Sequence, residues 1–512
     1  MKSLSTWFKT TFSPLQQLMW IGFLVRLVSV IWSKGFGWHD DHFLIIETSQ
    51  SWADGFYNYW LPTEEEPNRE PQGHALFYIG LHYYLFRFFN FIGLADPQVK
   101  MFVVRLLHAL WSLLIIRYAY KIALQFGGSK AAWYTGLFMA LYWFMPFMSV
   151  RNLVEFVCVP PILIAVYLLG KPEARTRFFV YAGLCLGIAF SIRFQSIFIT
   201  AGIGLALLLR KESITHLLAL ILSFLVLVFL TQGVVDLIIW KKPFTEFMAY
   251  VEYNLNNATA YGTDNWHMYF DLVFGLLIPP LSFLLVAGYF YEYKRMKLLF
   301  WPVLLYFAFH TYFPNKQERF VMTILPLIII AGTVGMFHLY ERYQARFSAK
   351  WIRVCKVFVI SLNLLLLPIL TTSYSKRHRV EAMSYLYSKA DANSFIIEDS
   401  NKDNDYLLPP LFYYGKWQSI CAINKTYTAD SALAYYNTLS YKDKPRYMVF
   451  WQATNIEARI DSIKKRFPGL VYETTIDPSF IDKTLYFLNP LNDNQTAYIY
   501  KLIPPKESPT GP

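Results

Sequence analysis

The chain has 512 residues, 55% hydrophobic, 19% aromatic and only 16% charged, whereas soluble proteins carry about 25% charged residues. Its length would suit roughly three soluble domains, but apolar runs such as 217–230 and 362–370 make it a polytopic α-helical membrane protein. Disorder, collagen-like repeats and a disulfide scaffold are excluded: Cys158, Cys185 and Cys355 lie in apolar runs and leave Cys421 without an evident partner.

A crossing takes about 20 mostly apolar residues. In chain order, 16–33, 101–122, 131–148, 153–170, 177–192, 196–210, 215–240, 270–291, 298–312, 320–340 and 354–373 predict about eleven transmembrane helices. The first is read as a retained span, because no small-residue cleavage site follows it. Residues 75–94 are also apolar, yet His82 and Arg87 among Phe and Tyr predict a helix lying in the interface. With a cytoplasmic N-terminus, the inner loops carry Lys2, Lys9, Lys121, Lys130, Lys171, Arg175, Arg177, Arg210, Lys211, Lys294, Arg295, Lys297, Arg342, Arg346, Lys350, Arg353 and Lys356. The net charge of +12 is thus spent as membrane sidedness requires, and no nucleic acid is implied. A crossing at 75–94 would throw the later clusters outside, so 34–100 forms one long first external loop.

Beyond residue 375 the chain turns polar and aromatic. Strand-like runs at 394–398 and 447–451, with helical patterns at 380–389 and 456–466, predict a mixed α/β extramembrane domain over 376–512. It follows a transmembrane domain over 1–375 and lies on the outer face.

The ionisable residues near predicted span ends gather on that same face. Asp40, Asp41 and Glu47 follow the first span, and Arg105 opens the second. Arg151 and Glu155 lie at one outer junction, Arg193 and Gln195 at the next; Asp236, His267, His310, Lys316, Glu318 and Arg319 follow. A charge at mid-bilayer costs roughly 2.5–3.5 kcal/mol on insertion scales, so one outer cavity would serve them all. Several cations around few carboxylates suit a lipid-linked phosphate, which arginine grips with two parallel hydrogen bonds. One carboxylate is then left as a base for a hydroxyl. In Gly37-Trp38-His39-Asp40-Asp41-His42-Phe43 the acids either cap a short helix near Phe43 or supply that base, as Asp40. His39 and His42 lack a diagnostic zinc spacing. Trp266, Tyr269 and Phe270 read as interfacial anchors or as platforms for a sugar. Arg26, midway through the first span, is expected to be paired inside the bundle.

These residues carry a resemblance. Trp38 to Phe43 with Glu47, Arg151-Asn152-Leu153-Val154-Glu155, Tyr261 to Phe270, His310-Thr311 and Asn315-Lys316-Gln317-Glu318-Arg319-Phe320 with Pro326 occur in the order found in glycosyltransferase family 22. The chain resembles these polyprenyl- or dolichyl-phosphate-mannose-dependent mannosyltransferases, which include the GPI-anchor and N-glycan-precursor enzymes. His39 stands where the family has Pro, Asn315 where it has His, and Gln317 where it has Glu. The resemblance covers about residues 38–326 and implies a GT-C-type fold.

It further implies an inverting hexosyltransferase, a mannosyltransferase, acting from a polyprenyl-phosphate-sugar donor onto a lipid-linked glycan or glycolipid. Asp40 aligns with the catalytic Asp and Asp41 with the acid after it. Donor phosphate and substrate would fall to Arg151, Glu155, Arg193, Gln195, Asp236, Trp266, His267, His310, Lys316 and Arg319. No metal or other cofactor is expected, since the leaving group carries no nucleotide diphosphate. The expected setting is a bacterial inner membrane with a periplasmic site rather than the endoplasmic reticulum. A transporter or flippase of lipid-linked saccharides would instead carry charges at the midplane and repeat symmetry, and neither is visible in the sequence. A non-catalytic subunit of a glycan-assembly complex is the third reading, kept open by the three departures.

Overall fold

The computed structural model describes residues 11–56, 61–63, 66, 68–260, 263–346, 348–403, 405–490 and 495–503. Expectations for Lys2, Lys9, Tyr261 and Gly262 fall outside the described residues.

Helix occupies each of the predicted apolar segments. Among the described residues, Pro14–Trp32, Pro97–Leu141, Ile214–Trp240 and Ala349–Thr371 are long and apolar enough to cross a membrane. Met268–Leu276 and Leu281–Tyr291 form a fifth if the pair, bent by 112°, counts as one crossing. Val154–Leu169, Thr176–Ile192 and Phe194–Leu209 are apolar but shorter. A 16-residue helix reaches only about 24 Å, against a hydrocarbon core of about 30 Å. Length and composition therefore establish a multi-pass integral membrane protein with four to five of the expected eleven crossings.

Two predicted spans, 101–122 and 131–148, fall largely on the single run Pro97–Leu141, which is broken at Gly128 with φ 74°. That left-handed conformation suits glycine, and the chain turns back there. A Cβ on Gly136 would meet the Tyr120 ring at 3.4 Å, although a straight helix would hold these positions about 24 Å apart. Elsewhere Gly288 faces Gly332 and Gly335 so closely that a Cβ at any of the three would strike backbone of the facing helix. Leu281–Tyr291 and Leu325–Tyr343 thus pack main chain to main chain, as small residues allow in membranes. Arg26, fully buried, donates from Nε to Ser112 Oγ (2.8 Å) and from Nη2 to the Met139 carbonyl (3.0 Å). Its partners are a hydroxyl and carbonyls rather than an acid.

By packing, the chain divides into two units. One takes 1–31, 57–81 and 104–372 as far as described; the other takes 32–56, 82–103 and 373–512. Parts of the first loop thus pack with the C-terminal residues. In this second unit β1 (Phe395–Glu398), β2 (Cys421–Ile423), β3 (Tyr447–Trp451), β4 (Leu470–Ile476) and β5 (Ala497–Leu502) form a mixed sheet in the order β2-β1-β3-β5-β4. β1 runs parallel to β2 and β3, while β5 is antiparallel to β3 and β4. All five residues of β3 are buried, as expected of a central strand covered on both faces. One face packs Ile396, Met448 and Phe450 against Tyr436, Ile463 and Phe467.

The first-loop segment enters this unit as one helical run over 39–53, π-helical at Asp41–Glu47. Ser33 Oγ donates to the Ser373 carbonyl (3.1 Å), and Gln98 Nε2 to Ser384 Oγ (3.0 Å).

Candidate active site

In the first unit the buried Glu155 carboxylate organises two arginines. Arg193 Nη1 lies 2.8 Å and Arg319 Nε 3.4 Å from Glu155 Oε1. Local geometry brings them there: Arg193 follows the end of the Thr176–Ile192 helix, Glu155 lies in the short Val154–Val157 turn, and Arg319 in the 3₁₀ turn Glu318–Thr323. The Phe320 ring lies beneath both guanidinium groups, at 5.1 Å from Arg193 and 5.9 Å from Arg319. Arg193 also donates to Gln195 Oε1, and Arg319 Nε to Gln317 Oε1 at 2.8 Å. Two arginines share one carboxylate, so the group keeps a positive surplus in a buried setting.

The neighbouring loop extends it. Lys316 Nζ donates to the Phe313 and Thr311 carbonyls at 2.7 and 2.9 Å, and burial holds its ammonium below the usual lysine range. Tyr269 stands under Lys316 at 5.9 Å, and its hydroxyl accepts from the Gln317 amide at 3.1 Å. His310 stacks on Tyr306 with ring centroids 4.1 Å apart and lies within electrostatic reach of Arg193 and Lys316. Its Nε2 and Glu155 Oε2 are buried and have no hydrogen-bond partner among the described residues. Two polar atoms are thus available to a ligand.

Other expected residues stand differently. Arg151 is buried with its guanidinium 4.5 Å over the Phe147 ring. Trp266 is 67% exposed, and His267 pairs through Nδ1 with Asp271 at 2.6 Å on the surface. Asp236 is fully buried and accepts from the Glu246 amide at 3.0 Å, tying down the start of the Thr245–Asn256 helix. Tyr269, Gln317 and Phe320, which stand in the motifs but were not assigned to the donor, join the group, and so does Tyr306, which no charge or motif position marked.

Asp40 and Asp41 belong to the second unit, at the start of the 39–53 helical run. Asp41 is buried and Asp40 half-buried. π-helical turns recur at functional sites because the extra residue re-aims side chains. His39 stacks on Phe43 at 4.3 Å. His42 is sandwiched between Phe36 (4.5 Å) and Tyr413 (5.4 Å), both nearly parallel to it. Glu47 Oε1 lies 3.4 Å from His42 Nε2 and accepts from the Phe412 amide at 3.2 Å. Burial, the Arg379 charge and, for His39, its neighbour His42 push both histidines below their usual range. Among the described residues no three His, Cys, Asp or Glu side chains gather as a metal shell.

The chain matches the sequence profile of the Alg9-like mannosyltransferase family over residues 18–417. That match extends past the transmembrane segments and takes in Arg379, Phe412 and Tyr413. It is 24% identical to GPI mannosyltransferase 3 of Saccharomyces cerevisiae over 39% of this chain and 34% of that protein. It is 26% identical to the alpha-1,2-mannosyltransferase ALG9 of Mus musculus, over 60% of this chain and 56% of that one. The chain thus spans between about a third and three-fifths of the curated relatives it matches. Among solved structures it resembles apo ArnT from Cupriavidus metallidurans, with a TM-score of 0.56 and 12% identity over 95% of this chain and 97% of that one. ArnT bound to undecaprenyl phosphate gives 0.54 and 12% over 97% and 98%. These likenesses establish the polytopic helical GT-C fold with its C-terminal mixed sheet. Profile, motif order and fold agree, and the chain belongs to the Alg9-like mannosyltransferase family.

Proposed function

We propose that the protein is an inverting mannosyltransferase that moves mannose from a polyprenyl-phosphate donor to a hydroxyl of a lipid-linked glycan, on the outer face of a bacterial inner membrane. The observation that carries this reading is the buried pair of arginines on Glu155, beside His310 and Lys316, in a chain of this family. Asp40 takes the acceptor proton as the acceptor oxygen bonds to C1 from the face opposite the phosphate. The C1–O bond to phosphate breaks, and the departing polyprenyl phosphate gains negative charge. Arg193 and Arg319, with Lys316, meet that charge, and stabilisation that grows toward the transition state is what accelerates a reaction. Glu155 holds both guanidinium groups in place and offsets one charge, so the site does not retain the product phosphate too tightly. Gln195 orients Arg193, and His310, stacked on Tyr306, lines the donor side. Eleven crossings with the N-terminus inside would put donor and acceptor on one face.

Purified protein in bilayer discs, given labelled polyprenyl-phosphate mannose and extracted lipids, is expected to yield a labelled glycolipid. Asp40→Asn should lower turnover by about 10²–10⁴ while donor binding persists, and Asp41→Asn should lower it less. Lipid movement without covalent transfer would replace this reading by the flippase. Unchanged turnover in Asp40→Asn would remove Asp40 as the base.

A further inference from the structure

The second unit contains a cleft that the proposed chemistry does not use. Its volume is about 490 Å³, within the range of about 300–1,000 Å³ typical of ligand pockets. Gln50, Asp54, Asn90, Lys100, Tyr387 and Trp417 line it. Lys100 is only 6% exposed, and its ammonium donates to Gln50 Oε1 and Asn90 Oδ1, both at 3.0 Å. An ammonium has three donors, which leaves one for an occupant. Asp54 Oδ1 accepts from Gln50 Nε2 at 2.8 Å and from Asn90 Nδ2 at 2.9 Å. Asp54 Oδ2 accepts from the Trp417 indole at 2.9 Å. The network locks the polar groups and the indole plane together before anything binds.

Aromatic surface stands open beside these fixed groups. Tyr387 is 39% exposed, and its ring lies 2.8 Å from where a Cβ on Gly415 would sit. Gly415 has φ 71°, so only a glycine both takes that backbone conformation and leaves room for the ring. The occupant must offer hydroxyls to amides, an ammonium and a carboxylate, and an apolar face to aromatic rings. A pyranose does both, since its axial C–H groups form a flat apolar face. A phosphate fits poorly: Asp54 sits at the centre of the network, and the cleft's other lysine, Lys416, is turned to the Ala392 carbonyl at 2.8 Å.

The cleft's place along the chain narrows the occupant. One helical run over 39–53 carries Asp40 at its start and Gln50 ten residues on, a separation of roughly 15 Å at 1.5 Å per residue. We propose that the cleft holds a hexopyranose unit of the acceptor glycan, several sugars back from the hydroxyl that receives the new one. The acceptor is then an oligosaccharide carried on lipid rather than a simple glycolipid. This inference rests on the transferase reading for the word acceptor, but not for saccharide binding.

The test titrates full-length protein in bilayer discs with soluble manno-oligosaccharides, read by tryptophan fluorescence and saturation-transfer NMR, with inorganic phosphate as competitor. Saccharide should bind, phosphate should not displace it, and Trp417→Ala and Asn90→Ala should each weaken binding at least tenfold. Trp417→Phe keeps a ring but loses the bond to Asp54, and should fall between the two. In transfer assays Trp417→Ala should raise acceptor KM at least tenfold with donor KM unmoved. Wild-type saccharide affinity in a folded Trp417→Ala, or displacement by phosphate, would overturn the cleft assignment. Binding that depends on Trp417 without transfer from any polyprenyl-phosphate donor would uphold the cleft and overturn the transferase reading.

Discussion

Gln317 marks the main chemical departure of this chain at its cationic group. Its amide oxygen accepts from Arg319 Nε at 2.8 Å, where the family's glutamate would bring a second carboxylate. The amide therefore orients Arg319 without neutralising it, while Glu155 pairs with both arginines. Arg319→Ala should weaken donor use by about 1.5–3 kcal/mol, the worth of a charged hydrogen bond, and the loss should appear in donor KM or in both constants. Gln317→Glu should raise donor KM several-fold, because the new carboxylate competes with phosphate for the same guanidinium. Steady-state kinetics at fixed acceptor measure both. An unchanged donor dependence in a folded Arg319→Ala would assign this arginine to structure alone. The charged members of the group were legible in the sequence because charge is costly in a membrane and must be explained. Tyr306 was not, since an aromatic ring within an apolar run reads as ordinary packing, and Tyr269 was legible only as an anchor or a sugar platform.

At the scale of elements, the Thr245–Asn256 helix is held by acids at its start. Asp236 accepts from its Glu246 amide, and Glu246 Oε2 in turn accepts from the Gly73 and His74 amides at 2.7 and 3.0 Å. Burial pushes the Glu246 carboxyl up to about 7, and the nearby Asp236 charge adds to the shift while the amides and the Trp240 indole oppose it. The raised value fixes the sign. The folded state holds a proton that the unfolded state releases near 4.5, so the contribution to stability is full below that pH and is lost as pH rises through 7. The unfolding midpoint of solubilised protein should fall between about pH 5 and 8, and Glu246→Gln, which keeps the acceptor but cannot titrate, should flatten that fall. Identical pH profiles for the two proteins would refute the assignment. Apolar runs marked the helices because hydrophobicity is local. The reversal at Gly128, the 112° bend and the docking of 39–47 on Phe412 and Tyr413 depend on partners far along the chain, which no periodicity records.

For the whole molecule, sidedness can be tested on a single helix. One helix, Ala349–Thr371, leads from the basic stretch Arg342–Lys356 into the C-terminal residues. Its 23 residues reach about 35 Å, enough to cross a hydrocarbon core of about 30 Å once. If it crosses, its two ends face opposite compartments, and the resistance of Lys and Arg to translocation predicts the basic stretch on the inside. Cys421 reports this poorly, since it is half-buried and burial pushes its thiol up to about 11, where little thiolate forms at neutral pH. Gln344→Cys and Lys442→Cys place thiols at exposed positions on either side, and the first leaves every basic residue in its stretch intact. Lys442→Cys should react with an impermeant maleimide on intact cells, and Gln344→Cys only after the inner face is opened. The reverse pattern would turn the protein over and carry the donor site to the inner face; equal labelling of both on intact cells would mean that Ala349–Thr371 does not cross at all.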